Sequence, residues 1–353
     1  MKKGNSGLAR SSTRADASSN AVDRPWRHPR ETLEVFGHAG ARQALERDWQ
    51  GGKLHHGLLI TGARGIGKAT LAYALARRLL TGKTGPEADD PENRTVRQIA
   101  AGSHPDLLAL DGDESAGVTR TISVESVRDL VSFFGLTASN SPGAGGYRIG
   151  IIDRADDMNT ASANALLKIL EEPPRHAVLI LVCETPGRLP ATIRSRCRRV
   201  PIDPLEPADL RLAVEHAGGV IPTGEDEIRD RWISGSVLRA LMVSDPAIAK
   251  TVHETSRILQ GLPTPDQSQL SGFASSFGPR EARAAFDIVF ELIDLHLADH
   301  ARQSAGQGDS RRGAALAECM QSLSRLKREA DVLNLDRTRT LLAAFRELAL
   351  CMN

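Results

Sequence analysis

A short apolar run that leads into a glycine-rich loop and then a helix constrains the fold of this chain more than any other feature. Gly57-Leu-Leu-Ile-Thr61 is continuously apolar up to its last residue, as is typical of a parallel strand that is covered on both faces. Gly62-Ala-Arg-Gly-Ile-Gly-Lys68 follows, and Leu71, Leu75 and Leu79 then recur at helical spacing. Strand, glycine loop and helix in this order are typical of a fold that binds phosphate groups.

The loop carries most of the residues that such a site needs. Gly62, Gly65 and Gly67 allow the backbone to approach an anion, and a helix that begins near Lys68 presents free N–H groups to it. Lys68 would reach the β- and γ-phosphates of a nucleotide. The next position usually holds a hydroxyl that ligates magnesium, but here it is Ala69. Thr70 is one position late and points about 100° away on a helix.

Three further apolar runs predict strands of the same sheet, and helical patterns separate them. A doubly wound α/β domain with a parallel sheet follows from this alternation. The predicted strands are Asp106–Leu110, Arg148–Asp153 and Ala177–Cys183, and the clearest intervening helices are Val124–Phe134 and Ala161–Leu170. Thr81–Arg94 is predicted to be an exposed loop, and Ser139–Gly146 a turn.

An aspartate ends the second of these runs, Arg148–Asp153. Asp153 occupies the position that holds the water shell of magnesium in phosphate-loop proteins. Its neighbour is Arg154, which cannot act as the carboxylate base that orients an attacking water. Asp156 and Asp157 lie beyond the strand end and are weak candidates to replace it. The sequence therefore indicates a degenerate site, at which ATP or ADP with Mg would bind weakly or not at all.

Four arginines lie within six positions of Leu189-Pro-Ala-Thr-Ile-Arg-Ser-Arg-Cys-Arg-Arg199. Such a run is most often a solvated surface. An arginine that is fixed at a subunit interface can instead enter the nucleotide site of a neighbour and stabilise charge on the transferred phosphoryl group. The spacing alone does not choose between these two interpretations.

Composition excludes several classes of protein. Lys and Arg total 45 against 44 for Asp and Glu, so the chain as a whole is not a basic nucleic-acid coat. Aromatic residues make up 4%, too few for a base-stacking platform. The four cysteines lack C-x-x-C spacing, which predicts reduced thiols without a zinc site. With no long apolar run and no signal-like start, we expect a cytoplasmic protein that contacts no membrane.

The pattern changes along the chain and predicts four segments. Residues 1–25 are polar and form a disordered tail, either a plain solvated start or a weak DNA contact. Residues 26–203 form the phosphate-loop domain. Strand signals then fade, so residues 204–262 form a small helical lid domain and residues 263–353 a helical C-terminal domain, with Gly261–Gln269 as linker.

Two further motifs carry a resemblance to a known family. Asn164-Ala-Leu-Leu-Lys-Ile-Leu-Glu-Glu-Pro-Pro174, followed by Ser195-Arg-Cys197, resembles the clamp-loader subunits of bacterial DNA polymerase III, members of the AAA+ family, in their delta-prime branch. The likeness runs from about Thr32 to Arg199. Beyond residue 200, only the helical pattern and Gly235-Ser236 are similar to the family.

The resemblance implies a five-stranded AAA+ domain, a helical lid and a helical collar through which subunits join in a ring. It implies that Arg196 is an arginine finger that serves the ATP site of an adjacent gamma/tau subunit. The implied partners are gamma/tau and delta subunits, and the sliding clamp and primed DNA through the complex. The implied function is that of a non-motor stator, which helps to load the clamp during chromosome replication at the replisome.

Departures from the motor subunits point in the same direction. Motors carry a hydroxyl after the lysine, an Asp-Glu pair and a Thr-Thr pair, where this chain has Ala69, Arg154 and Cys183-Glu184. The lid arginine in Gly235-Ser-Val-Leu-Arg239 is one position later than in the motors. Clamp-loader domains commonly insert a four-cysteine zinc module after the phosphate-loop helix, but Thr81–Ser103 has no cysteine, so no zinc is expected.

Other functions remain as alternatives. The main one is an active AAA+ ATPase, either gamma/tau-like or a branch-migration motor, which would hydrolyse ATP itself. A small-molecule phosphoryl transferase would need an acceptor pocket and a base that the sequence does not offer. Nucleotide binding without hydrolysis stays open, because Gly62–Lys68 is intact.

Overall fold

The computed structural model describes residues 26–110, 122–135, 146–278 and 283–352. The predicted tail at residues 1–25 lies outside the described residues, as does all but the last residue of the predicted turn at 139–146.

The first half of the chain is a five-stranded parallel sheet with helices on both faces. The strands are β1 (Gly57–Thr61), β2 (Leu107–Leu110), β3 (Arg148–Ile152), β4 (Ala177–Cys183) and β5 (Arg198–Pro201). They lie in the order β2-β3-β4-β1-β5. The predicted five-stranded AAA+ sheet is confirmed, and the loop after β1 lies at the carboxyl edge of the central strands.

Seven helices belong to this α/β part among the described residues. They are α1 (Ala39–Gln50), α2 (Lys68–Thr81), α3 (Arg94–Ala100), α4 (Val124–Gly135), α5 (Thr160–Ala165), α6 (Leu167–Glu171) and α7 (Ala191–Arg194). Helices α1 to α3 pack on one face of the sheet, through a cluster that includes Leu45, Leu75 and Ile99. Helices α4 to α7 pack on the other face, through a cluster that includes Leu130, Leu170 and Ile193. The molecule therefore has the three layers of a doubly wound domain.

Four strands lie where the apolar runs predicted them, within one residue at each end. β5 was not among those runs, because its first two residues are Arg198 and Arg199. It is an edge strand that pairs only with β1 among the described strands, so that one side is not covered by a neighbour. Arg198 pairs with Asp48 of α1, and Arg199 Nε donates to Thr61 Oγ1 at 3.2 Å. Two of the four arginines in this run therefore belong to β5, and their guanidinium groups contact residues of the same α/β part.

The segment after α2 is tied down by an ion pair. It contains a short 3-10 helix at Gly85–Asp89, within the predicted loop, and then α3. Arg77 of α2 is fully buried, and its Nε lies 2.5 Å from Asp89 Oδ1. A second nitrogen of Arg77 donates to Leu33 O at 2.9 Å, and Arg78 also pairs with Asp89 at 3.5 Å. Asp89 therefore fixes the segment to α2.

The predicted helix Ala161–Leu170 is divided in two. At Leu166 the chain tightens, since its N–H donates to Ala163 O, three residues back. Leu166 ends α5 and caps α6, and its side chain is buried against the sheet. The helix ends at Glu171 before the two prolines, as predicted.

The second half of the chain is helical. The lid helices are α8 (Pro207–His216), α9 (Glu227–Ile233), α10 (Val237–Met242) and α11 (Pro246–Gln260). The collar helices are α12 (Gln267–Ser275), α13 (Arg283–Gly306), α14 (Ser310–Leu333) and α15 (Arg337–Met352). One hydrophobic cluster runs from Leu205 to Leu348 and joins both groups. The boundary at residue 262 stays a prediction.

The last part of the chain forms two helices, α14 and α15, which are separated at residues 334–336. Asn334 takes a left-handed conformation with φ 50° and ends α14. No helix among the described residues is both long and apolar enough to cross a bilayer.

Candidate functional site

The phosphate loop lies between β1 and α2, as predicted. Gly65 and Gly67 have φ of 75° and 100°, left-handed conformations that favour glycine. At Gly62 an added Cβ would lie 2.5 Å from Ile202 O, so only glycine allows the chain just after β5 to pass so closely. Gly67 caps α2, and the first N–H groups of this helix therefore face the loop.

Lys68 lies inside the curve of this loop. Its Nζ donates to Gly62 O at 3.0 Å and to Ala63 O at 2.6 Å, and the residue is 5% exposed. Burial lowers the pKa of Lys68, while the nearby carboxylates of Glu184 and Asp153 oppose this change. An ammonium held here is placed to meet a phosphate group.

The acidic strand end is brought to the same place. Asp153 follows β3 and, together with Lys68 and Glu184, lines a cavity next to the phosphate loop. Arg154 lines it too, in a left-handed conformation with φ 60°. Its Nε lies 2.7 Å from Asp157 Oδ2. Burial disfavours the charged form, but Glu184 and Asp157 outweigh it and raise the pKa of Arg154.

The two aspartates that were weak candidates for a base have other contacts. Asp157 is the partner of Arg154. Asp156 accepts from the backbone N–H groups of Glu184 and Thr185, each at 3.2 Å, and so fixes the chain after β4. Both carboxylates therefore stabilise the backbone that follows β3 and β4.

The donor set fits phosphate groups better than it fits magnesium. Loop glycines, a helix N-terminus and Lys68 form an anion site. For a cation the same cavity offers the carboxylates of Asp153 and Glu184, while Ala69 carries no side-chain oxygen. Thr70 also lines the cavity, one residue beyond the usual hydroxyl.

An apolar wall of the cavity adjoins the phosphate loop, and it was not predicted from the sequence. The cavity has a volume of about 450 Å³, within the usual range for small-molecule sites. Trp26 and Phe36 line it from the segment before α1, and His216 and Leu241 line it from the lid helices. The Phe36 and His216 rings lie 5.5 Å apart. Aromatic residues make up only 4% of the chain, and two of them, Trp26 and Phe36, precede the first helix. These two residues were the signal from which the apolar wall could have been predicted.

The lid arginine lies outside this cavity. Leu238 lines the cavity, whereas Arg239 stacks on the Trp232 ring at 5.4 Å and donates to Trp232 O at 2.9 Å. Consecutive helical residues point about 100° apart, so a shift of one position turns the guanidinium away.

Arg196 lies far from the loop, at the other end of the same strands. It follows α7 and precedes β5, level with the start of β1, whereas the loop follows the end of β1. One nitrogen lies 2.9 Å from Glu171 Oε1, and another donates to Thr192 O at 3.0 Å. The side chain is 37% exposed. The structure therefore brings together Gly62, Gly65, Gly67, Lys68 and Asp153, but not Arg196.

Cys197, next to Arg196, is half-buried and packs against the cluster around Leu170 and Ile193. Burial raises its pKa to about 11, so the thiol is a packing group at neutral pH.

Known proteins are similar to this chain over much of its length. A family model described as "DNA polymerase III, delta subunit" matches residues 37–206. The DNA polymerase III subunit delta' of Pseudomonas aeruginosa is 40% identical over 157 residues, 44% of this chain and 46% of that relative. The DNA polymerase III subunit tau of Escherichia coli is 32% identical over 238 residues, 66% of this chain and 35% of that relative.

The chain thus spans less than half the length of these relatives. Among solved structures, a DNA polymerase III gamma subunit-related protein from Thermotoga maritima is 18% identical at a TM-score of 0.40, covering 88% of this chain and 99% of that one. The chain belongs to the clamp-loader AAA+ family of DNA polymerase III subunits.

Proposed function

We propose that this chain is a non-motor, delta-prime-type subunit of a clamp loader, which supplies Arg196 to the ATP site of a neighbouring gamma/tau-type subunit. Its partners are then gamma/tau and delta subunits in the cytoplasm, with the sliding clamp and primed DNA reached through the complex. The observation that carries this proposal is the separation of Arg196, exposed at one end of β1, from the phosphate loop at the other end. An arginine so placed serves a site on another chain.

The local geometry supports this use of Arg196. Its ion pair with Glu171 is exposed on both sides, at 37% and 49%, and such pairs contribute only about 0–1 kcal/mol. The guanidinium can therefore exchange Glu171 for a phosphate oxygen at low cost. In a neighbour's site, it would stabilise the charge on the transferred phosphoryl group.

The chain's own cavity is proposed to be a degenerate nucleotide site. Gly62, Gly65, Gly67 and Lys68 would hold the phosphates of ATP or ADP, and Asp153 would face magnesium. A bound nucleotide would supply a polyphosphate, which the loop N–H groups and Lys68 would hold. Ala69 weakens the magnesium position, and Arg154 leaves no carboxylate to orient water, so binding without turnover is proposed.

A second candidate is a gamma/tau-like subunit that hydrolyses ATP itself. It is favoured by the tau-type relatives, which match 66% of the chain, and by the intact Gly62–Lys68 loop. The two candidates differ in whose nucleotide is turned over.

The test is DNA- and clamp-stimulated ATP hydrolysis by a reconstituted loader. Arg196→Ala is expected to lower turnover at the neighbouring site by roughly tenfold or more, because it removes positive charge from the transition state. Arg194→Ala, a change two residues away at an exposed position, is the matched control and should have no effect. Lys68→Ala should leave turnover nearly unchanged. If Lys68→Ala is the damaging change and the isolated chain hydrolyses ATP, the second candidate is correct.

A further inference from the structure

A single collar carboxylate gathers donors from the phosphate loop and the lid. Glu291 lies on α13, and its Oε1 is 3.1 Å from a guanidinium nitrogen of Arg64. Its Oε2 is 3.2 Å from Arg239 and accepts from Trp232 Nε1 at 3.0 Å. Three parts of the chain that are distant in sequence therefore meet at one side chain.

Arg64 connects this cluster with the cavity. It lies within the loop, between Gly62 and Gly65, and it lines the cavity wall. The lid is docked on the same turn, since the Leu238 N–H donates to Gly65 O at 3.3 Å. A guanidinium on a phosphate loop would ordinarily add to its attraction for a polyphosphate, but Glu291 neutralises it.

We propose that Glu291 acts as an internal anion of the phosphate loop, which neutralises Arg64 and lowers the affinity of the cavity for a nucleotide polyphosphate. The inference rests on the proposed phosphate site but not on any role of Arg196. Glu291 is a positioning residue, because it acts through Arg64. Linkage makes the effect reciprocal, so a bound polyphosphate loosens the hold of the collar on the loop.

The test is ATP binding to the isolated full chain, by titration calorimetry or with a fluorescent ATP analogue. Glu291→Gln keeps the shape of the side chain and removes its charge. ATP affinity is expected to rise roughly tenfold, within the usual range of coupling between sites. The matched control is Asp287→Asn, which removes a carboxylate of the same helix that pairs with Lys327, and it should leave the affinity unchanged.

A double-mutant cycle separates this role from a general loss of negative charge. Arg64→Gln alone should change ATP affinity less than twofold by this mechanism, because the guanidinium is already neutralised. In the Glu291→Gln background, Arg64→Gln should remove most of the gain. A gain that survives Arg64→Gln would overturn the proposal.

The remaining outcomes are also decisive. An unchanged or lower ATP affinity in Glu291→Gln, or no measurable binding by either protein, overturns the inference. If Lys68→Ala lowers the ATP affinity while Glu291→Gln has no effect, the phosphate site stands and only the inference fails. Circular dichroism checks folding. If Glu291→Gln unfolds, Glu291→Asp replaces it; its side chain is too short to reach both arginines, so an intermediate gain in ATP affinity is expected. No gain in ATP affinity counts against the proposal.

Discussion

At the residue scale, Gly65 is the point where the lid meets the phosphate loop. Its φ is 75°, and an added Cβ would clash with Ser236 Oγ and lie 2.5 Å from Leu238 Cβ. Gly65→Ala is expected to lower the free energy of unfolding by about 2–4 kcal/mol, from left-handed strain and overpacking together. Urea denaturation measures this loss.

Gly52→Ala is the matched control for backbone strain. Gly52 has φ 64°, but an added Cβ meets nothing within 4 Å. It should cost about 1 kcal/mol. Equal losses of unfolding free energy in the two variants would show that contact with the lid adds nothing to the cost of a side chain at position 65.

The phosphate-loop residues could be predicted from the sequence because their chemistry is local. Gly62, Gly65, Gly67 and Lys68 are adjacent in the chain, and Asp153 ends a strand whose apolar run is easily recognised. Glu291 could not be predicted, since it meets Arg64 across 227 positions. Residues brought together by helix packing leave no such pattern in one sequence.

At the scale of elements, the segment after α2 depends on Asp89. Asp89→Asn would leave the fully buried Arg77 without its carboxylate partner. Because an uncompensated buried charge is costly, the free energy of unfolding should fall by about 3 kcal/mol. Limited proteolysis within residues 82–93 should become faster.

Glu87→Gln tests whether any charge change in this segment has the same effect. Glu87 is 77% exposed and pairs with Lys83 at 3.8 Å. Its removal should change stability by less than about 0.5 kcal/mol. A similar loss in both variants would exclude a special role of Asp89.

The elements show what apolar runs can predict. β1 and β4 have the predicted bounds because both faces of each strand are buried, so their sequences are continuously apolar. β5 lies at the edge and begins with two arginines, so it was expected only from the family resemblance. The break at Leu166 was not predicted, because the apolar spacing continues through it.

At the scale of the whole molecule, the collar makes stability depend on pH. His296 of α13 is 9% exposed, and its ring lies 4.5 Å from that of His300. Burial, with added repulsion from His300 and Arg231 against the opposing Asp299, lowers the pKa of His296 to about 4. Below its ordinary pKa of about 6.5, the unfolded chain binds a proton that the folded chain does not.

The free energy of unfolding should therefore fall as the pH drops from about 6.5 towards 4. For His296 alone, the loss between pH 7.5 and pH 5 is about 2 kcal/mol. Urea denaturation at the two pH values measures it. His296→Gln should reduce the difference, whereas His253→Gln, at a 65% exposed position, should not. An unchanged difference in His296→Gln would refute this assignment.

The opposed positions of Arg196 and the phosphate loop give the chain a polarity. They lie at the two ends of β1, a strand of five residues, or roughly 15 Å. A contact that brings Arg196 to the phosphate loop of a neighbouring subunit with the same fold therefore joins two different surfaces. Such head-to-tail contacts are not self-complementary, and they produce a closed ring or an open helix rather than a two-fold dimer. The direction of β1 therefore determines the orientation in which neighbouring subunits can be arranged along such a ring or helix.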